Sequence, residues 1–270
     1  MCRWLAYTGS PIQMDELLLK PEHSMIDQSR NAKESTYTIN ADGFGVGWYT
    51  DEGEPGLYHD VRPIWNDQNF AELTHHVSSR LFLCHIRASS GAPVVRVNCH
   101  PFRYENWMFQ HNGDIGQFGR IRHALATRIE PRFFAAMNGG TDTETMFHLA
   151  LTHGLMDDPV KGVRCMIDDV ESARTSAGIE DPFRMTLAVT NGTTLWAFRY
   201  ASHGEPPSLY HSKSEAALKE ATGDEFTLAP DSVIVLSEPL DEVSSHWAEV
   251  PPSSYVVVAP GHAELAPLFD

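Results

Sequence analysis

The sequence predicts an α+β fold in which two β-sheets carry helices on their outer sides. Strand-like segments occur early and late in the chain, and the longest helical segments lie between them. The sharpest local signal is a hairpin, with strands at Arg184–Thr190 and Thr193–Tyr200 joined by Asn191-Gly192 in a predicted type I′ turn. This distribution is typical of stacked sheets covered by helices. Because no repeat, low-complexity tract or linker interrupts the chain, we expect a single domain over residues 1–270.

The start of the chain is predicted to alternate between strand, helix and loop. Residues 2–8 are rich in apolar and aromatic types, which indicates a buried strand. Ser10 and Pro11 are typical of a helix N-terminus, with Ser10 as the N-cap, so we predict a helix that runs to about Lys20. Residues 21–41 are polar and lack periodicity, and we expect a surface loop there.

The segment Asp42–Tyr49 contains glycines in GxGxG spacing, which also occurs in phosphate-binding loops. Such a loop should open a helix, and no helical pattern follows this one. The aromatic and β-branched residues instead favour a strand, followed by a turn at residues 51–53 and a second strand around Leu57–His59. Glycines inside a strand indicate that another backbone or a ligand approaches closely.

Local patterns predict the remaining elements. Helices are expected at Phe70–Ser78, Gly119–Ile129 and Thr143–Thr152, and from Asp158-Pro159 to Ala177. Strands are expected at Leu81–Arg87, Trp107–Gln110, Ser232–Ser237 and Tyr255–Ala259. Two of these predicted strands therefore end in residues whose side chains can bind a ligand or transfer a proton, Arg87 and His111.

The composition excludes several classes of partner. A formal net charge of −16 argues against nucleic acid or an anionic membrane as a partner. No stretch is apolar enough to span a bilayer, and the start of the chain lacks the pattern of a signal peptide. The cysteines at positions 2, 84, 99 and 165 show no CxxC spacing, which argues against a zinc site or a disulfide framework. We therefore expect a cytoplasmic protein that holds no metal.

Cys2 directly follows Met1, and a small second residue permits removal of the initiator methionine. A terminal cysteine carries a thiol nucleophile and a free α-amine whose reference pKa lies near 8. A nucleophile is activated by a base within hydrogen-bond reach, and here the base would belong to the same residue. Cys2 is therefore a candidate catalytic residue.

Further motifs stand on predicted strand ends and turns. They are His85-Ile86-Arg87, Asn98-Cys99-His100-Pro101, His111-Asn112-Gly113 and Thr141-Asp142-Thr143-Glu144. Each alone has an ordinary explanation, because Asn-Gly is a common turn pair and Asp142 has the residue type of a helix N-cap.

Together with Cys2, and in this order, the motifs resemble the class II glutamine amidotransferases, a branch of the N-terminal-nucleophile hydrolases. The chain is also similar to a stand-alone subgroup that includes the γ-glutamyl hydrolase of ergothioneine synthesis, which shares a late segment between Ser237 and Pro251 that begins Ser-Glu-Pro-Leu. The resemblance implies a four-layer α/β/β/α sandwich of two stacked, mainly antiparallel sheets. It also implies an enzyme that needs no cofactor.

The same resemblance implies a role for each site residue. Cys2 would attack the γ-amide carbon, and its α-amine would carry the proton. The Asn112 side chain and the Gly113 N–H would form the oxyanion hole, and such donors contribute about 3–4 kcal/mol in comparable sites. Arg87 would bind the α-carboxylate as a bidentate guanidinium, and Asp142 would bind the α-ammonium group.

One position departs from the family pattern. The residue after Arg87 is usually a tryptophan that shields the glutamine pocket, and here it is Ala88. We expect a wider pocket that accepts a γ-glutamyl compound bulkier than glutamine. His85 and His111 have no assigned role in the family, and structural hydrogen bonding is their simplest interpretation.

The sequence leaves several functions open. Glutamine is the default substrate, with a γ-glutamyl thiol conjugate as the alternative. The released ammonia either passes to a separate synthase subunit or is simply a product. A non-catalytic subunit that binds glutamine is a second class of function. A papain-like hydrolase that uses Cys84 or Cys99 is a third, although both thiols lie in apolar surroundings where cysteines are usually inert.

Overall fold

Two antiparallel sheets organise the part of the chain that this computed structural model describes, which comprises residues 2–34, 38–50, 53–89, 91–213 and 228–269. The strands are β1 (Arg3–Gln13), β2 (Phe44–Tyr49), β3 (Pro55–Asp60), β4 (Ser78–Ile86), β5 (Phe102–Tyr104), β6 (Trp107–Ile115), β7 (Phe183–Thr190), β8 (Leu195–Ala201), β9 (Tyr210–Ser212), β10 (Val233–Leu236), β11 (Trp247–Glu249), β12 (Ser254–Ala259) and β13 (His262–Pro267). The helices are α1 (Asp15–Leu18), α2 (Met25–Arg30), α3 (Gln68–His76), α4 (Phe118–Ala126), α5 (Pro131–Phe134), α6 (Asp142–Thr152) and α7 (Pro159–Ser176). Met1 and two residues of the predicted turn, 51 and 52, lie outside the described residues.

The strand order places the start of the chain in the middle of a sheet. The first sheet has the order β11-β9-β10-β1-β4-β2-β3, and the second has the order β13-β12-β8-β7-β6-β5. β1 pairs with β4 on one side and with β10 on the other, both in antiparallel register. In the second sheet, β6 pairs with β7 along its whole length, from Met108–Thr190 to Ile115–Phe183.

Three groups of buried side chains define four layers. One group joins the first sheet to α1, α2 and α3, with Phe44 and Phe82 packed against Phe70 and its neighbours. A second joins the second sheet to α4, α6 and α7. The third lies between the sheets and includes Trp4 and Leu83 from one and Val256 from the other. The predicted four-layer α/β/β/α fold is confirmed, because central strands such as β1, β4 and β7 are largely buried on both faces.

Most predicted elements are confirmed, but the helix predicted from Ser10 is wrong. β1 continues through a bulge to Gln13. The pairing with β4 is interrupted after Thr8, where Ser10 makes hydrogen bonds to other residues, and it resumes where Ile12 pairs with Ser79. The Ser10 N–H donates to Asp231 at 3.1 Å, and the Tyr7 hydroxyl donates to the Ser10 carbonyl at 2.6 Å. Only the short α1 follows, so the Ser-Pro pair marks a strand irregularity rather than an N-cap.

Residues 21–41 were predicted as a loop, yet they contain α2. The Ser24 hydroxyl caps this helix by accepting the N–H of Asp27 at 3.4 Å. Its buried residues include Gln28, whose amide donates to the carbonyls of His23 and Glu238. The periodicity is missing from the sequence because polar side chains with specific partners fill part of the buried face.

Two strand boundaries also differ from the predictions. β6 does not end at Gln110 but runs through the His-Asn-Gly motif to Ile115. The β7–β8 hairpin exists, but its connection is a four-residue loop over 191–194 rather than a type I′ turn. The Asn191 side chain accepts the N–H groups of Thr193 and Thr194, and this local bonding replaces the expected two-residue turn.

The glycines of β2 bring a neighbouring loop close to the strand, as the sequence predicts. Phe44 and Val46 face the outer helices, so Gly45 and Gly47 face the other sheet. A Cβ at Gly45 would collide with the carbonyl oxygen of His100 and with the ring of His59. This contact seats the Asn98–Pro101 segment, which adjoins the cavity described below.

We predict that Gly45→Ala destabilises the protein by about 1–3 kcal/mol, because the added methyl group meets a backbone atom that cannot swing aside. Urea unfolding monitored by circular dichroism measures this. Gly119→Ala is the matched control, because its Cβ would meet open space and alanine favours the helix. Equal midpoints for wild type and Gly45→Ala would show that the loop can move.

Candidate active site

A cavity of about 630 Å³ opens beside the start of β1. Its walls come from the segment after β4, the second half of β6 and the start of α6. Four of the five residues to which the resemblance gives a catalytic or substrate-binding role line it: Cys2, Arg87, Gly113 and Asp142. Residues separated by up to 140 positions thus share one space, because β1 begins, and β4 and β6 end, at the same edge of the two sheets.

Cys2 is held against the residue that departs from the family pattern. Its Sγ accepts the Ala88 N–H at 3.3 Å and contacts the Ala88 carbonyl oxygen at 3.5 Å. Burial raises the pKa of the Cys2 thiol, and the Ala88 N–H and the charges of Arg87 and Arg3 oppose that rise in part. The thiol is therefore mainly protonated at neutral pH, and a base must remove its proton before it can attack.

Arg87 is buried with its guanidinium oriented by neighbouring oxygen atoms. Its Nη2 donates to the Ser89 hydroxyl at 3.1 Å and to the Ala92 carbonyl at 3.0 Å. The Asp42 side chain accepts the Ser89 N–H at 2.8 Å and so fixes the segment that surrounds the guanidinium. The result is a fixed positive charge in the cavity wall.

The His-Asn-Gly motif divides between two sides of β6. Gly113 lines the cavity with φ of 145°, and any Cβ there would collide with the Arg184 carbonyl oxygen. Asn112 does not line the cavity. It is fully buried, and neither its Nδ2 nor its Oδ1 has a hydrogen-bond partner among the described residues. An unpaired buried amide costs about 1–3 kcal/mol, so this side chain lacks a partner that the folded chain does not supply.

Asp142 is the first residue of α6. Its residue type is common at the N-cap position, but the N-cap of this helix is another residue. Thr141 is the N-cap and accepts the Glu144 N–H at 3.0 Å. The Asp142 carboxylate accepts the N–H groups of Ile115 at 3.1 Å and Thr143 at 2.8 Å. It therefore joins α6 to the end of β6 and presents a negative charge to the cavity, where the helix N-terminus favours it.

Two polar residues fix the loops that frame the cavity. Asn98 accepts the Gly140 N–H at 3.0 Å and donates to the Pro93 carbonyl at 2.9 Å, so it links two wall segments. Glu144 accepts the N–H groups of Asn138 and Gly139, each at 2.7 Å. Asn98 belongs to the Asn-x-His-Pro motif and Glu144 to the Thr-Asp-Thr-Glu motif. The sequence therefore marked both residues, but it gave neither of them a role.

The other two candidate nucleophiles do not belong to the cavity. Cys84 and Cys99 are fully buried, and neither lines the cavity. Burial raises the pKa of the Cys84 thiol strongly and that of Cys99 to about 11. Thiols in such surroundings are unreactive, so this arrangement gives the papain-like alternative no support.

A family comparison accounts for this arrangement. Residues 28–267 match the model of the glutamine amidotransferases of class II. The chain belongs to this family. Within the described ranges, no helix has the length and apolar character of a bilayer-spanning segment.

This class II amidotransferase is similar to three known proteins over nearly its whole length. It is 30% identical to the probable glutamine amidotransferase DUG3 of Saccharomyces cerevisiae, over 100% of this chain and 85% of the yeast protein. It is 26% identical to the γ-glutamyl-hercynylcysteine sulfoxide hydrolase of Mycolicibacterium smegmatis, over 99% of this chain and 100% of that protein. A solved class II glutamine aminotransferase domain protein from Silicibacter pomeroyi is 32% identical, and each chain covers 100% of the other with a TM-score of 0.75.

Three histidines cluster at the cavity of this amidotransferase, and two of them, His100 and His111, line it. The rings of His85 and His100 are in contact, with centroids 4.0 Å apart and planes tilted by 48°, and His85 Nε2 bonds to the His111 carbonyl at 3.0 Å. Burial lowers the pKa of all three, that of His85 to about 3. They are therefore neutral at neutral pH. Among the described residues, no group of three or more histidine, cysteine or acidic side chains could hold a metal ion.

The low pKa of His85 predicts that the free energy of unfolding depends on pH. Between the unfolded pKa of about 6.5 and the folded pKa of about 3, the unfolded chain binds more protons, so stability is full above pH 6.5 and falls below it. We expect His85→Gln, whose amide can still donate to the His111 carbonyl, to lose less stability than wild type from pH 7 to pH 4.5. Urea unfolding at several pH values measures both slopes, and parallel slopes would contradict the prediction.

Proposed function

We propose that residues 1–270 form a single glutamine amidotransferase domain that hydrolyses the γ-amide of glutamine or of a γ-glutamyl compound through a thioester on Cys2. The products are glutamate and ammonia or an amine. The observation that carries the proposal is the common cavity of Cys2, Arg87, Gly113 and Asp142. One fixed cation and one fixed anion match the α-carboxylate and α-ammonium groups of an amino acid, and a thiol lies in the same space.

The reaction requires a base for Cys2, because burial keeps its thiol protonated. We propose that Met1 is removed and that the α-amine of Cys2 accepts the thiol proton. Sγ then bonds to the γ-carbonyl carbon, and the carbonyl electrons move to the oxygen. The amine returns the proton to the leaving nitrogen as the C–N bond breaks. Water adds to the thioester by the same route, which releases glutamate and restores the thiol.

The oxyanion would be stabilised by the Gly113 N–H and the Asn112 amide. Gly113 lines the cavity, and this position requires a glycine because a Cβ would collide with the Arg184 carbonyl oxygen. The unpaired, buried Nδ2 of Asn112 supports the assignment, because an oxyanion would supply the partner that it lacks. Since Asn112 does not line the cavity, its role requires the substrate oxygen to enter between Gly113 and the first sheet.

A γ-glutamyl conjugate is the second candidate substrate, and Ala88 favours it. A cavity of about 630 Å³ lies within the range that encloses drug-sized ligands, which is more than glutamine needs. The Mycolicibacterium smegmatis relative is named as the hydrolase of such a conjugate. We further propose a cytoplasmic enzyme without a cofactor, a nucleic-acid partner or a membrane partner. Its ammonia is either released or taken up by a separate synthase subunit.

We predict that Cys2→Ala abolishes glutamate release from glutamine but retains glutamine binding, because Arg87 and Asp142 are unchanged. Enzymatic glutamate detection and titration calorimetry measure the two properties. Cys165→Ala is the matched control, since this half-buried cysteine lies on α7 outside the cavity.

Three other outcomes separate the alternatives. Residual turnover in Cys2→Ala would assign the nucleophile elsewhere, and a glutamine-mimicking electrophile mapped to Cys84 would identify it. Wild-type protein that binds glutamine without turning it over, in a sample whose intact mass shows loss of Met1, would be the non-catalytic subunit.

The size of the pocket is tested by Ala88→Trp, which introduces the residue that is usual in the family. We expect the indole to lower kcat/KM for γ-glutamyl amides with large leaving groups by about tenfold or more and to change that for glutamine by less than about threefold. The reason is that steric exclusion of a bulky group readily exceeds 1.4 kcal/mol. Ala88→Ser is the control, because it changes the polarity of the side chain while adding little volume. An equal loss for both substrates would place the leaving group away from Ala88.

A further inference from the structure

The Ser-Glu-Pro-Leu motif has no part in the proposed chemistry, yet it lies against the start of β1. It follows β10, which pairs with β1 up to Leu236 and Leu5. The Ser237 N–H donates to the Trp4 carbonyl at 3.0 Å, and the Ser237 hydroxyl accepts the Trp4 N–H at 2.9 Å. Ser237 therefore extends the ladder toward Cys2 by one more residue.

The next residue of the motif reaches further. Glu238 Oε2 lies 2.9 Å from Arg3 Nε, and the two side chains are 2% and 0% exposed. Arg3 Nη1 donates to the Cys2 carbonyl at 3.1 Å. A continuous chain of contacts thus runs from the Glu238 carboxylate through a guanidinium to the peptide of the proposed nucleophile.

Glu238 is itself fixed from several sides. Its Oε1 bonds to His23 Nε2 at 2.5 Å and accepts the Lys33 N–H at 2.8 Å, and its Oε2 accepts the Glu34 N–H at 3.0 Å. Burial opposes ionisation of Glu238, but these hydrogen bonds and the charge of Arg3 hold its pKa below the ordinary value. The carboxylate is therefore charged and immobile.

The need for such a device follows from the position of Cys2. The β1–β4 ladder begins at Arg3 and Ile86, so Cys2 lies beyond the last paired residue. The described contacts of its backbone carbonyl consist of the Arg3 hydrogen bond, and its Sγ touches the Ala88 backbone. A segment held at one end only would sample many orientations, whereas attack on a carbonyl requires one.

We propose that Glu238 and Arg3 are positioning residues that fix the Cys2 peptide, so that its thiol and α-amine point at the γ-carbonyl. The proposal rests on the function proposed above. A buried ion pair is suited to this task, because separating the two charges would leave each of them uncompensated in the interior. The pair thereby keeps the Arg3 guanidinium at the Cys2 carbonyl. Neither residue touches the substrate, so the head-group contacts of Arg87 and Asp142 do not depend on the pair.

The test compares Glu238→Gln with wild type, using glutamate release from L-glutamine and alkylation of Cys2 by iodoacetamide, mapped by mass spectrometry. We expect kcat to fall about 10- to 100-fold while KM changes less than about twofold, because misorientation by about 1 Å has such an effect. The pH at half-maximal alkylation should fall, since Glu238 no longer neutralises the positive charge of Arg3 beside the thiol. Glu238→Asp should restore part of kcat.

Glu242→Gln is the matched control. Glu242 lies on the same segment, is 83% exposed and pairs with Lys33, and its loss should leave kcat and the alkylation profile unchanged. The double variant Arg3→Gln/Glu238→Gln removes both charges, so it should recover thermal stability relative to Glu238→Gln while kcat stays low. This separates positioning from folding.

Two results would overturn the proposal: a folded Glu238→Gln variant with wild-type kcat and alkylation profile, or a double variant that recovers kcat together with stability. Failure of the proposed function is distinct from either. It would appear in the wild-type protein, as the absence of both glutamate release and labelling of Cys2 by a glutamine-mimicking electrophile.

Discussion

The pairing of β1 with β4 is the constraint on which the rest of the site depends. Its register sets Arg3 opposite Ile86, so Cys2 comes to lie against Ala88 and close to Arg87. A slip by one residue would turn the side chains of β1 to the opposite face and exchange its two buried surfaces. Burial on both faces of this central strand makes such a slip costly, so the packing of two cores fixes the position of one sulfur atom.

The second sheet supplies the opposite wall through the alternation of β6. Phe109 and His111 point toward the helices, where His111 bonds to Thr143, while Gln110 points toward the first sheet and bonds to the Leu5 carbonyl. The same strand therefore reaches α6 on one side and β1 on the other. Gly113, near the end of this strand, lines the cavity, and a Cβ there would collide with the Arg184 carbonyl oxygen.

Several of the buried polar groups of this protein orient the cavity and its surroundings. Asn98 and Glu144 bond to backbone groups of its loops, and Glu238 neutralises Arg3 beside Cys2. Most of these groups are satisfied, as buried polar groups must be. At the site itself, the Asn112 amide and the ring nitrogens of His100 are among the buried groups that have no hydrogen-bond partner in the described residues. The unpaired Asn112 amide is consistent with a partner that arrives with the substrate.

The sequence by itself determined the family motifs, the strands and helices with clear periodicity, and the residues that meet at the cavity. The cavity residues followed from a resemblance: the motifs, taken together and in order, are similar to those of a known family, and that likeness implies which thiol, guanidinium and carboxylate groups share a site. Only the tertiary structure decided that β1 passes Ser10 as a strand, that α2 replaces a loop, and that Glu238 pairs with Arg3 from a distance of more than 230 residues. These outcomes depend on partners far away in the chain, and local propensity carries no information about them.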